Sequence, residues 1–226
     1  MIAIVPARGG SQGVLRKNVR PAGGKPLIAW TIEAAKSSAS VKRIIVTTDD
    51  LEIADLAKQY GAEVPFLRPA DLATDTATSV NVVAHALHKL GFDEESDAPF
   101  ILLQPTSPLR TSGDIDAAAA LLEEAEAVVS VTVVSHPPQW LRTIDTNRCL
   151  QPWLSGEVQR RQDSGALYEL NGAIYITRAG RFLRELSFSP AVTAAYVMPK
   201  ERSLDIDTEF DLQLCNLLLT QNETHV

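Results

Sequence analysis

Ile2-Ala3-Ile4-Val5-Pro6-Ala7-Arg8-Gly9-Gly10-Ser11-Gln12-Gly13 carries a short apolar run into a glycine-rich turn. Such a run reads as a buried strand, and its break at Pro6 delivers a loop. The glycines tolerate φ > 0 and carry no Cβ to block an anion, so successive N–H groups can turn toward one point. Arg8, Arg16, Lys17, Arg20 and Lys25 add five cations before the first acidic residue, Glu33, in a chain of net charge -7. This local reversal of sign implies a polyanion small enough for one loop, which is read as a nucleoside triphosphate. Neither the dinucleotide spacing G-x-G-x-x-G nor the P-loop spacing is present.

Working outward, Pro26 and the apolar spacing of Leu27 to Ala35 predict an amphipathic helix. Arg43 to Thr47 is a β-branched strand, and Asp50 caps a helix over Leu51–Tyr60 that Gly61 stops. A short strand is expected over Ala62–Phe66, then a polar loop and a helix reaching about Leu90. Further apolar strands are read at Phe100–Leu103, Val128–Val134 and Ala194–Met198. Strands alternating with helices predict an α/β fold, a mostly parallel sheet in three layers, with ligands outside the carboxyl ends of the strands. The first loop, the turn from Thr47 to Asp50 and the turn from Gln104 to Arg110 should therefore share one crevice. Near the C-terminus, Asp205 and Asp207 alternate with Leu204 and Ile206, so an extended backbone would point both carboxylates one way. Two such oxygens suit Mg²⁺ (or Mn²⁺), which combines one or two carboxylates with phosphate and water. Asp207 or Thr208 would also cap the final helix.

With 226 residues, 45% of them hydrophobic, the chain can bury one main core. No membrane span, targeting segment or basic stripe for nucleic acid is visible, and a cytoplasmic location is expected. Cys149 and Cys215 lack the spacing of a redox or zinc motif. The stretch 135–170, with Trp140, Trp153 and the pair Arg160-Arg161, is too long for a plain connection and reads as an insertion between core segments 1–134 and 171–226.

The stretch Ala7 to Asn18 resembles the A-R-x-x-S-K-G-x-x-x-K-N signature of the N-acylneuraminate cytidylyltransferases, including the legionaminate and pseudaminate enzymes. Gln104-Pro-Thr-Ser-Pro-Leu-Arg110, Asn171-Gly-Ala-Ile-Tyr-Ile176 and Ser203 to Leu212 match that family's other motifs in order. The resemblance implies a Rossmann-like nucleotidyltransferase with a small dimerisation arm, joining CTP to a nine-carbon 2-keto sugar acid. It assigns Ala7, Arg8, Gly9, Gly10, Ser11, Gln12, Lys17, Asn18, Arg68 and Ser79 to the nucleotide. Gln104, Arg142, Arg161 and Asn171 go to the sugar, the two arginines as planar forks for its carboxylate. Arg8, Lys17, Asp205 and Asp207 would carry catalysis, the last two with the metal, in a homodimer or a tetramer built from it. Two positions depart from the pattern. Gln12 stands where the family has lysine, with Arg16 nearby as an alternative cation, and Glu169 stands where sialate-using members often have arginine. The alternatives are an enzyme of the ketodeoxyoctonate type and a noncatalytic nucleotide-binding homologue.

Overall fold

A computed structural model describes residues 1–11, 13–154 and 166–223. In chain order its elements are β1 (Ile2–Pro6), the small pair β2 (Pro21–Ala22) and β3 (Lys25–Pro26), α1 (Leu27–Ser37), β4 (Arg43–Thr47) and α2 (Leu51–Tyr60). There follow α3 (Ser79–Lys89), β5 (Pro99–Leu103), α4 (Ser112–Ala120), β6 (Ala127–Val133), and the hairpin β7 (Arg142–Ile144) and β8 (Leu150–Pro152). The chain continues through β9 (Tyr168–Arg178), α5 (Ala179–Glu185), β10 (Thr193–Val197) and α6 (Glu209–Glu223).

The central sheet has the strand order β10-β6-β9-β5-β1-β4 and is parallel except for β9, which runs antiparallel to both neighbours. Side chains alternate across it as a pleated strand requires. Ala3 and Val5 pack with Ile28, Ile53 and Ile115 from α1, α2 and α4, whereas Ile4 packs with Leu87 and Phe182 from α3 and α5. This is the expected three-layer α/β arrangement. A third cluster seats α6 through Leu212, Cys215 and Leu219 against Val14 and Ile206, tying the C-terminal segment to the first loop.

The orientation of β9 has a functional consequence. Its last residues pair with the start of β5, so its first ones, Glu169 to Asn171, emerge at the carboxyl ends of the neighbouring strands. Tyr168 to Leu170 already belong to the sheet, pairing with Val131 to Val133.

The caps fall where the residues indicate. Asp50 accepts from the Ile53 N–H at 3.1 Å, and Gly61 takes φ 100 at the end of α2. Thr208 and Asp211 exchange hydrogen bonds before α6, so Thr208 rather than Asp207 is the capping residue. The strand expected over Ala62–Phe66 does not form. Only isolated bridges join Glu63 to Ile45 and Leu67 to Thr48, because Pro65 between them has no N–H to continue a ladder.

One buried carboxylate fastens the layers. Asp114, at the start of α4, accepts from Arg202 at 2.7 and 2.9 Å, from Tyr196 at 2.9 Å and from the Thr111 N–H at 2.9 Å. Burial works against its ionisation, but these donors outweigh it and hold the carboxyl at about 2. A folded-state value below the unfolded one stabilises the protein above the unfolded value, and that stability is lost as pH falls through about 2. Asp114→Asn should therefore cost roughly 2 kcal/mol at pH 7 in urea unfolding, a difference from wild type that closes between about pH 4 and pH 2. A difference unchanged at the acid end would show that the carboxylate's charge is not responsible.

Candidate active site

At the carboxyl ends of β1 and β5, two adjoining cavities open, with Gln104 lining both. The first, of about 390 Å³, gathers Arg8, Ser11, Lys17, Asn18, Arg68, Ser79 and Asp207. The sequence assigned all of them to the nucleotide or metal. Ala7, Gly9 and Gly10 do not line it, and Gln12 lies outside the described residues.

Three cations converge there, and each meets a carboxylate: Arg8 with Asp75 at 2.6 Å, Lys17 with Asp207 at 3.1 Å, and Arg68 with Asp49 at 3.2 Å. Lys17 Nζ also donates to the Ile206 carbonyl, fixing the C-terminal segment against the loop. Asn18 Nδ2 donates to the Arg8 carbonyl at 3.0 Å and so holds the loop's shape. Arg68 is buried, and desolvation lowers its pKa against the pull of Asp49. Among the described residues its Nε and the Ser11 hydroxyl have no partner, two buried polar atoms at a cavity wall where a ligand's oxygens would satisfy them. The N-terminus of α3, capped by Thr78, presents Ser79 to the same space and adds its dipole to an anion's environment.

The loop achieves this differently from expectation. Gly9 and Gly10 are not at positive φ, and the Gly9 N–H donates to Asp49 Oδ1 at 3.2 Å instead of pointing at an anion. Arg16 takes the left-handed conformation at φ 53. Its guanidinium pairs with Asp50 at 3.0 Å and Glu52 at 2.5 Å, so it does not serve the cavity as a substitute cation. Gly13 is required by contact, since a Cβ there would stand 2.0 Å from the Asp207 carbonyl oxygen.

The second cavity, of about 420 Å³, is lined by Asp205, Asn171, Glu169, Tyr175 and Thr132 among others. Asn171 proves to be structural in its contacts: its amide accepts from Ser130 at 2.6 Å and donates to Ser203 at 3.0 Å and to Met198. Gly172, at φ 74, leaves room for Gln104, whose Oε1 would lie 2.8 Å from a Cβ. Arg142 does not join either cavity. It is exposed on β7 and donates to the carbonyls of Gln139 and Leu141, while Arg161 lies outside the described residues.

Asp205 and Asp207 lie on irregular chain, not on a strand, and line adjoining cavities instead of one. They still interact: desolvation raises the pKa of Asp205, the Thr106 hydrogen bond opposes this, and the charge of Asp207 adds to the rise. Among the described residues no three His, Cys, Asp or Glu side chains form a metal cluster. Two carboxylates in unfavourable interaction nevertheless fit the needs of Mg²⁺ when phosphate and water complete the shell.

Sequence reasoning missed the residues behind this site. Asp49 binds both the loop and Arg68, and Asp75 binds Arg8. Arg110 is buried beneath Gln104, donating to the carbonyls of Gln104 and Ala173 and to Thr31, with its pKa lowered to about 9 by burial. The heptapeptide containing Arg110 marked the place but gave no sign that its arginine faces inward.

A mostly parallel sheet whose carboxyl edge sets a cavity lined by paired cations and carboxylates beside a second polar one suits a nucleotidyltransferase. The model of the cytidylyltransferase family matches residues 2–212. The CMP-N,N'-diacetyllegionaminic acid synthase of Legionella pneumophila is 39% identical, over 99% of this chain and 97% of that protein. The N-acylneuraminate cytidylyltransferase of Escherichia coli is 42% identical over 95% of this chain, which spans only 51% of that relative's length. The pseudaminic acid cytidylyltransferase of Campylobacter jejuni is 31% identical over 98% of this chain and 97% of its own. Among solved structures, a CMP-2-keto-3-deoxy-manno-octonic acid synthetase complexed with CTP superposes with TM-score 0.73 at 16% identity, over 98% of both chains, which speaks for the fold alone. The chain belongs to the cytidylyltransferase family.

Proposed function

We propose that this enzyme transfers the cytidylyl group of CTP to the C2 hydroxyl of a nine-carbon 2-keto sugar acid. The sugar oxygen attacks the α-phosphorus, a new P–O bond forms, the bond to the β-phosphate oxygen breaks, and pyrophosphate leaves. The observation that carries the reading is the pair of adjoining cavities joined by Gln104. A triphosphate held by Arg8, Lys17 and Arg68 would place its α-phosphate toward the second cavity, where a sugar acid would sit. Positioning and charge neutralisation account for most of the acceleration such transfers need.

Each of those cations already faces a carboxylate, so the cavity is close to neutral before a polyanion enters. That balance supports a divalent cation, Mg²⁺ or Mn²⁺, held by Asp205 and Asp207. When bound, it would neutralise phosphate charge and make the attacking hydroxyl more acidic.

The test is pyrophosphate release with CTP, Mg²⁺ and N-acetylneuraminate, legionaminate, pseudaminate or ketodeoxyoctonate, each against a no-sugar control. Release with a nine-carbon acid is expected. Release with ketodeoxyoctonate alone would favour the eight-carbon alternative, and silence with CTP still bound would favour a noncatalytic homologue.

The arm supports assembly. Ile144, Leu150 and Trp153 on or beside the β7–β8 hairpin are 70%, 66% and 64% exposed, an apolar patch suited to a second copy. A homodimer is expected in sedimentation velocity, and Ile144→Glu should shift it to monomer. A monomeric wild-type protein would refute the assignment.

A further inference from the structure

The ladder between β5 and β9 stops at the edge of the active site. Its last rung pairs Leu103 with Ile174, so the next residues across from one another are Gln104 and Ala173. Pro105 follows without an N–H, and the ladder goes no further. Arg110 bridges the gap instead. Its Nη1 donates to the Gln104 carbonyl at 3.2 Å and to the Ala173 carbonyl at 2.8 Å, while Nη2 donates to Thr31 on α1 at 2.7 Å. The Thr31 hydroxyl donates in turn to the Gln104 carbonyl, 3.5 Å away. One planar guanidinium thus joins α1, the end of β5 and β9. The placement is unfavourable for a charge: Arg110 is only 2% exposed, and Asp114, whose charge reaches it, is bound by Arg202. Its hydrogen bonds must offset that burial. What they hold is Gln104, the residue common to both cavities. Gln104 Oε1 also stands where a Cβ on Gly172 would meet it, so β9 seats the side chain while Arg110 seats the backbone.

We propose that Arg110 is a positioning residue for the transfer, its guanidinium fixing the end of β5 against β9 so that the Gln104 amide stands at the junction of the two cavities. The proposal rests on the two-cavity reading of the reaction. Arg110 lines neither cavity, so it acts on the substrates only through Gln104. The triphosphate is met by Arg8, Lys17 and Arg68 from other segments, and CTP should bind much as before without Arg110. The attacking hydroxyl and the α-phosphorus meet beside Gln104, where a shift of about 1 Å costs about 100-fold in rate. Positive charge alone does not suffice. The ammonium of lysine lacks the flat fork that reaches two carbonyls and a hydroxyl at once.

The test measures pyrophosphate release from CTP with the sugar acid that wild type uses. Arg110→Met and Arg110→Lys should each lower kcat about 100-fold, with the KM for CTP changed less than about threefold. Thr31→Val keeps Arg110 and removes one of its anchors. It should lower kcat about tenfold, and it decides the matter where the arginine variants do not fold. A second readout needs no turnover. The Gln104 side-chain amide resonances, assigned by their absence from Gln104→Glu, should be sharp in wild type and broadened or shifted in each folded variant. Wild-type kcat in Arg110→Lys, or in Thr31→Val where the arginine variants do not fold, overturns the proposal. So does a loss of kcat matched by an equal rise in the KM for CTP, or a set of Gln104 resonances that does not change. If wild type releases no pyrophosphate with any acid while the resonances do change, the placement of Gln104 by Arg110 stands and the transfer reading fails.

Discussion

Lys17→Met is expected to lower kcat/KM for CTP about 1000-fold, the effect of removing one preorganised charge from a water-poor site. Lys17 is the cation that joins the phosphate loop to the C-terminal segment, through the Ile206 carbonyl and Asp207, and its side chain is only 12% exposed. Its loss would remove positive charge from the cavity and leave Asp207 without its partner, so a triphosphate would meet net repulsion. Arg8 and Arg68 still face the triphosphate, but their pairs with Asp75 and Asp49 hold them at their own places in the cavity and keep them from moving to the position Lys17 leaves. Arg16 is committed to the start of α2. Methionine keeps the length and apolar stem of lysine, so the thermal midpoint should move by no more than about 3 °C. A loss below about tenfold, with the fold intact, would mean that the triphosphate does not lie against Lys17.

Much of the fold could be read from the chain because each element carries its own local signal. Asp50 and Gly61 bracket α2 through a side-chain cap and a left-handed turn, and both act within a few residues. The apolar runs at Ile2, Arg43, Phe100 and Val128 mark strands regardless of what they pair with. Strand direction is different. The alternation of Asn171 to Ile176 is the same whether β9 runs parallel or antiparallel, so nothing local revealed that Glu169 would emerge at the carboxyl edge. The site divides similarly. Arg8 and Lys17 stood out because a cluster of cations near glycines in an acidic chain points to an anion, and Asp207 because it alternates with Asp205 beside a cap, whereas Asn18 was marked only by the family resemblance. Their partners did not stand out, because Asp49 lies 40 residues from Gly9 and only the packing of β1 on β4 brings them together. The expectation of positive φ at Gly9 and Gly10 failed because glycine has two uses, unusual dihedrals and close approach, and sequence does not distinguish them.

Gly13 shows the second use most clearly, and Gly13→Ala is expected to lower activity to about 1% of wild type, whereas Gly10→Ala should be nearly silent. A Cβ on Gly13 would lie 2.0 Å from the Asp207 carbonyl oxygen, while one on Gly10 meets nothing within 4 Å. The obstruction at Gly13 is backbone, so no rotamer change relieves it. Either the phosphate loop must lift or the segment carrying Asp205 and Asp207 must withdraw. Both movements would separate Lys17 from Ile206 and Asp207, the contacts that hold the two sides of the cavity together. The damage should be local, because the sheet beneath is built from β1, β4 and β5 and does not depend on this approach. The expected pattern is thus a folded protein with its sheet intact, weakened CTP binding in calorimetry and little pyrophosphate release. Equal activity in the Gly13→Ala and Gly10→Ala variants would show that the loop and the C-terminal segment need not touch for the reaction to proceed.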